Sequence, residues 1–384
     1  MDTPAAPRSK LPDVGTTIFT VIGDLAAKHQ ALNLSQGAPN FDCDPRLIDR
    51  AVAAMRAGRN QYAPMTGLPA LRTAISEKCA RITGRHYDVD EEVTVVASAS
   101  QGLYAAISGL VHPGDEVIYF DPAFDSYAPT IRLQGATPIA IKLTAAGFRI
   151  PWDMVAAAIT PRTQMIIVNT PHNPTSTVLS AGDLERLAML TRGTGIVVLS
   201  DEVYEHVVFD GATHHGMAQH PELAARSVIV SSFGKSYNVT GWRVGYCLAP
   251  AALTVEIRKI HQFMMFAADT PMQYAFADML ADETTWRGLA AFYQHKRDLL
   301  ARELRGSRFE LLPSAGAFFM LARFRGFSGE SDTEFALRLI RDHRVATIPL
   351  SAFYSDATDL GFIRLSFSKD DATLIEGARR LHAA

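Results

Sequence analysis

The chain has 384 residues, 48% apolar and 20% charged, with 37 Lys plus Arg against 40 Asp plus Glu. This supports a substantial core, as two ordinary domains or one large domain with an appendage, and excludes extended disorder. No like-charge block occurs and no apolar run approaches the roughly 20 residues of a membrane span, so neither nucleic acid nor a membrane is an expected partner. Cys43, Cys79 and Cys247 are too scattered for a disulfide framework or a metal cluster and fit a reducing, cytoplasmic setting. The twelve histidines suggest no metal site. Met1–Leu11 has no apolar core of the kind a signal peptide needs.

In chain order, Ile18–Ala27 reads as a helix and 35–40 as a turn. Asp44-Pro45 is a capped helix start, with Gly58 as its stop. A loop at 60–67 precedes an amphipathic helix ending near Gly84. From Val93 a strand–helix rhythm sets in. Strands are expected at Val93–Ala97, Val117–Phe120, Pro138–Ile141, Met165–Val168, Ile196–Leu199 and Val228–Val230. Helices are expected at Gly102–Val111, Pro151–Ala158, Ala181–Thr191, Ala251–Ile260 and Met272–Leu280, with a turn or helix at Ile131–Leu133. This alternation predicts an α/β fold with a mostly parallel sheet covered on both faces. From about Thr285 the pattern becomes that of a smaller α+β domain. It has helices at Trp286–Leu304, Asp332–Asp342 and Asp370–Ala383, and strands at Ala317–Leu321, Val345–Ile348 and Phe362–Phe367.

Three apolar runs end in polar groups: the first in Asn169-Thr170-Pro171-His172-Asn173-Pro174, the second in Ser200-Asp201-Glu202-Val203-Tyr204, the third in Ser231-Ser232-Phe233-Gly234-Lys235. Parallel sheets bind ligands at the carboxyl ends of their strands, so Asn173, Asp201, Tyr204 and Lys235 should converge on one crevice. Pyridoxal 5′-phosphate uses all four. An amine holds its aldehyde, a carboxylate pairs with its protonated ring nitrogen, and a phenol and an amide hydrogen-bond its ring O3′. Ala99, Ser100 and Gln101 open a helix whose N–H groups suit a phosphate, and Ser232 and Arg243 add a hydroxyl and a guanidinium. Phe124, in the loop after a strand, can stack on the ring. Arg364, in an otherwise mostly apolar strand, offers either a surface ion pair or a planar fork for a substrate carboxylate.

These motifs resemble the class I pyridoxal-phosphate aminotransferases of fold type I, over about Asn33 to Lys369. The most similar group is the methionine and aromatic (kynurenine/glutamine-type) aminotransferases. Ser232-Phe233-Gly234-Lys235 with Arg243 is the most specific piece; 35–39, 60–64, 169–174 and 200–205 also fit that group. The resemblance implies a seven-stranded, mostly parallel sheet in a large domain, 46–284, and a small C-terminal domain, 285–384. Residues 1–45 would form an N-terminal arm and part of the small domain. It also implies that Asn173 and the Gly37 backbone help Arg364 with the substrate carboxylate. A homodimer with shared sites is implied too, in which Tyr62 reaches the partner's phosphate. Ser98 stands where relatives usually carry glycine, which bears on the local turn.

Ile18, Tyr62, Phe124 and Phe266 are candidate side-chain pocket residues. Gln262–Pro271 contains no basic residue, where dicarboxylate-specific relatives supply a partner-chain arginine. The expected reaction is transfer of an amino group from methionine or another large apolar or aromatic L-amino acid to a 2-oxo acid, with ping-pong kinetics. A carbon–sulfur β-lyase uses the same residue set and is the alternative; a non-catalytic cofactor-binding regulator is a more remote one.

Overall fold

The first strand, β1 (Leu32–Asn33), lies outside the central sheet, which is built from β2 (Val93–Val96), β3 (Glu116–Asp121), β4 (Thr137–Lys142), β5 (Thr163–Asn169), β6 (Val197–Asp201), β7 (Ser227–Ser232) and β8 (Gly245–Leu248). These belong to a computed structural model that describes residues 8–384. Residues 1–7, the start of the expected N-terminal arm and of the segment read as lacking a signal peptide, lie outside the described residues. The spatial order is β2-β8-β7-β6-β5-β3-β4. Only β8 runs antiparallel to its neighbours, β2 and β7. Periodicity finds six of the seven strands. It passes over β8 because that strand is four residues long, opens on a glycine and follows a loop too closely to stand apart.

The inner strands are apolar runs because both faces are covered. Val95, Ile118, Ile166 and Val198 pack on one face, and Val117, Met165, Ile167 and Leu199 on the other. Each such side chain contributes about 1.5–3 kcal/mol by leaving water. Helix Ala99–Leu110 begins three residues earlier than periodicity predicts, because Ser98 caps it through Gln101 N at 3.4 Å. Gly102 lets this helix press on β8: a Cβ there would lie 2.9 Å from Cys247 Sγ.

The C-terminal part carries a second sheet. The strands here are β9 (Glu310–Leu311), β10 (Phe319–Arg323), β11 (Val345–Ala346), β12 (Ile348–Pro349) and β13 (Phe362–Ser366), and β12-β13-β10-β9 form an antiparallel sheet. The single strand expected at Val345–Ile348 is therefore divided. β11 pairs in parallel with β1, tying the N-terminal segment to this part. The long helix expected at Trp286–Leu304 is also divided, into Thr284–Arg287 and Leu289–Glu303, with Gly288 between them. An apolar cluster of its own, including Phe318, Phe324, Phe335, Ile363 and Leu365, fills one side of this sheet. No helix among the described residues is long and apolar enough to cross a membrane.

Candidate active site

β5, β6 and β7 are parallel neighbours, so their carboxyl ends open on the same side. The register sets Asn169 beside Asp201, and Asp201 beside Val230. Beyond Val230 the chain closes a single helical turn, Phe233–Ser236, that carries Lys235; Ser232 Oγ caps it by accepting from Gly234 N at 3.2 Å. One cavity gathers Lys235, Asp201, Tyr204 and Asn173 with Ala99, Ser100, Ser232 and Arg243, and Phe124 forms part of its wall. A larger cavity of about 420 Å³ touches Asn169 from behind but meets none of Lys235, Asp201 and Arg243.

The part-buried Lys235 has no carboxylate partner among the described residues. Its Nζ donates to Gly37 O at 3.1 Å and lies 5.6 Å from the Tyr204 ring centre. Burial, and then the charges of Arg364 and Arg243, lower its pKa to about 8. A useful fraction of free amine, the form that attacks carbonyl carbon, therefore exists near neutral pH. Asp201 is 4% exposed, and burial raises its pKa to about 6. Against that, the Tyr127 phenol donates to Asp201 Oδ2 at 2.7 Å and favours the ionised form. Burial raises the Tyr204 phenol well above its ordinary pKa, so it is a neutral O–H donor.

Arg364 is 1% exposed, which removes the surface-pair reading. Its partners are neutral: Nη1 donates to Asn173 Oδ1 at 2.6 Å and Nη2 to Ser35 O at 2.8 Å, while Nε has none. The guanidinium lies 3.9 Å from the Phe319 ring centre, 4.7 Å from that of Phe353 and 5.4 Å from that of Phe19. Burial pushes its pKa down to about 9. Asp125 attracts it without forming a salt bridge, so the buried charge stays poorly compensated, and a bound carboxylate relieves it with two parallel hydrogen bonds.

At the phosphate side, Ser98 has φ +88° and ψ 157°, a region that favours glycine. The first-turn N–H groups of Ala99 and Ser100 have no protein acceptor among the described residues. Gln101 does not line the cavity: its N–H serves the Ser98 cap and its side-chain amide turns to His261 Nδ1 at 3.1 Å. Among the described residues Arg243 holds only Thr240 O, at 2.9 Å, and its fork is otherwise free. Gly37 meets the site through its carbonyl. Ile18 is part-buried near the start of a helix, and it is the next residue, Phe19, that reaches Arg364. Tyr62 is 85% exposed and packs edge-on against the half-exposed Phe266 at 5.4 Å, away from the cavity.

Two residues of the site are absent from the sequence-based set. Asn169 donates to Asp201 O at 2.8 Å and accepts from Asn173 N at 2.7 Å, so it locks two strand ends together. Tyr127, which opens the helix Tyr127–Leu133 after the Phe124 loop, supports Asp201; its signal in the sequence is a second aromatic three residues after Phe124. Tyr127→Phe removes a hydrogen bond to the carboxylate, so the Asp201 pKa rises further and the acid limb of the kcat/KM profile moves to higher pH. Turnover at neutral pH should fall about tenfold, read from pH–rate profiles.

Fold and site fit a pyridoxal-phosphate enzyme acting on amino acids, and its relatives make it an aminotransferase. The family model for class I and II aminotransferases matches residues 29–381, and the chain belongs to that family, which implies pyridoxal 5′-phosphate as cofactor. It is 48% identical to the methionine aminotransferase of Escherichia coli K12 over 98% of both chains. It is 37% identical to a probable N-succinyldiaminopimelate aminotransferase of Mycobacterium tuberculosis over 97% of both. A crystal structure of an Escherichia coli protein with methionine aminotransferase function superposes with a TM-score of 0.97, at 48% identity and covering 99% of this chain and 100% of that one.

Proposed function

We propose that this aminotransferase takes its amino group from methionine and other large apolar or aromatic L-amino acids, holding pyridoxal phosphate through Lys235. The observation that carries the reading is the buried Arg364, which makes no salt bridge among the described residues and is ringed by Phe19, Phe319 and Phe353. It offers a carboxylate fork inside an apolar enclosure, next to an amine of lowered pKa. Likeness to the methionine aminotransferase of Escherichia coli supports the donor class. The lack of any basic residue across Gln262–Pro271 disfavours a second, side-chain carboxylate.

The residues present fit the cofactor. The free N–H groups of Ala99 and Ser100, the Ser232 hydroxyl and Arg243 would take the phosphate. Asp201 would pair with the ring nitrogen, while Tyr204 and Asn173 would meet O3′ and Phe124 the ring face. When bound, the cofactor supplies an aldehyde and a ring that accepts electrons from the bond broken at the donor's α-carbon. Arg364 and Asn173 orient the carboxylate. Lys235 Nζ, poised by its lowered pKa, takes and returns the proton. The Tyr204 and Phe318 rings, centred 5.6 and 5.8 Å from its Nζ, give that amine an apolar setting.

The proposal includes a homodimer with shared sites. Tyr62, Phe263, Met265 and Phe266 are exposed apolar side chains, Phe263 by 87%, and such a cluster supports a protein partner. The division into a larger unit, 46–284, and a smaller one, 285–384 with 1–45, belongs to the same reading. A donor panel tests the specificity: kcat/KM for methionine should exceed that for aspartate by at least about 100-fold, since a site without a second cation leaves the side-chain carboxylate unpaired. Aspartate preferred over methionine would refute it.

A further inference from the structure

Lys369 is a buried cation that the chemistry above does not use. It lies three residues beyond β13, is 4% exposed, and donates from Nζ to Ala38 O at 2.5 Å. No carboxylate pairs with it among the described residues. Burial lowers its pKa to about 8, opposed only by its chain neighbour Asp370.

Its partner belongs to a segment laid along β13 and the residues after it. Leu34 O accepts from Ser366 N at 2.7 Å and Ser35 O from Arg364 Nη2 at 2.8 Å. Gly37 O accepts from Lys235 Nζ at 3.1 Å. Further on, Asn40 exchanges hydrogen bonds with Asp370, at 2.7 and 2.8 Å. Lys369 thus holds the segment between two anchors that stand without it. Gly37 has no slack on its other side. A Cβ there would lie 2.8 Å from the Phe319 ring, which carries the Arg364 guanidinium, and 3.5 Å from Tyr204 Oη. The Gly37 N–H has no protein acceptor among the described residues.

We propose that Lys369 is a positioning residue for the carboxylate end of the substrate: by gripping the Ala38 carbonyl it fixes the turn that keeps Gly37, with its free N–H, packed on the ring bearing Arg364. The proposal rests on the reading of Arg364 as the carboxylate fork. Because Leu34, Ser35 and Asn40 remain anchored, loss of the grip loosens Gly37 and Ala38 rather than unfolding the segment. The effect should therefore fall mainly on carboxylate binding, with a smaller effect at Lys235, whose Nζ donates to Gly37 O and whose pKa the Lys369 charge helps to lower.

The test uses holoenzymes of wild type, Lys369→Met and Lys369→Arg, with methylthiobutanoate, the unreactive deaminated analogue of methionine, as probe. Calorimetric Kd, KM and kcat for methionine, and Tm are measured. Lys369→Met should weaken the analogue and raise KM about tenfold with a clearly smaller change in kcat, and Lys369→Arg should recover most of the loss. Should the Met variant not fold, Lys369→Gln, a shorter uncharged donor, is expected to bind more weakly than wild type. Wild-type affinity in Lys369→Met, or in Lys369→Gln if that is the variant in hand, overturns the proposal. So does a loss confined to kcat. Failure of the wild type itself to bind the analogue would instead overturn the reading of Arg364, and this proposal with it.

Discussion

Lys235→Ala is expected to lower kcat by at least about 10⁴-fold and to abolish the visible absorbance of the covalently held cofactor. The nearby Lys369 does not substitute, because it is committed to Ala38 O. The same change should stabilise the cofactor-free protein. The pKa of Lys235 falls from 10.5 in the ordinary case to about 8 in the fold. Below pH 8 the folded chain therefore carries an unfavourable buried charge. Between those values the unfolded chain binds more protons than the folded one, so stability rises with pH. Lys235→Ala should be about 1 kcal/mol more stable than wild type at neutral pH, a gain typical of removing a strained functional group, and the gap should close as pH approaches 10.5. Denaturant unfolding of the two proteins across this range measures it. An active, coloured Lys235→Ala would end the assignment.

Arg364→Met is expected to lower kcat/KM for methionine about 10²–10³-fold, mostly through KM, as truncating one partner of a buried charged pair does. Arg364→Lys keeps a charge but loses the fork that spans Asn173 Oδ1 and Ser35 O, and it should recover little. Neither variant should lose the cofactor, because the phosphate and ring groups sit on other elements. Steady-state kinetics with methionine and absorbance of the bound cofactor separate the two effects. A wild-type KM in Arg364→Met would remove the fork from the account.

The central sheet and most of its helices were legible in the sequence because strands buried on both faces are continuous apolar runs, and caps such as Asp44-Pro45 mark helix starts. What stayed hidden depended on contacts between distant residues. β8 has too few residues to show a period, and β1 exists only through its pairing with β11. Lys235, Asp201, Tyr204 and Asn173 could be placed together because each follows a strand that topology aligns. Tyr127 and Asn169 act by holding other site residues, a role that spacing does not reveal. Phe19 rather than Ile18 reaches Arg364, since one step along a helix turns the side chain by about 100°. Gln101 stands next to Ala99 and Ser100 in the sequence, but the Ser98 cap takes its N–H. Tyr62 and Phe266 do not line the chain's own cavity but pack on each other at the surface.

The most direct test of the central claim is a single half-reaction. Holoenzyme mixed with L-methionine and no 2-oxo acid should lose its visible cofactor band, release one keto acid per chain and stop; adding a 2-oxo acid should restore the band. Continued release of ammonia and keto acid without an acceptor, or a band that methionine leaves untouched, would contradict it.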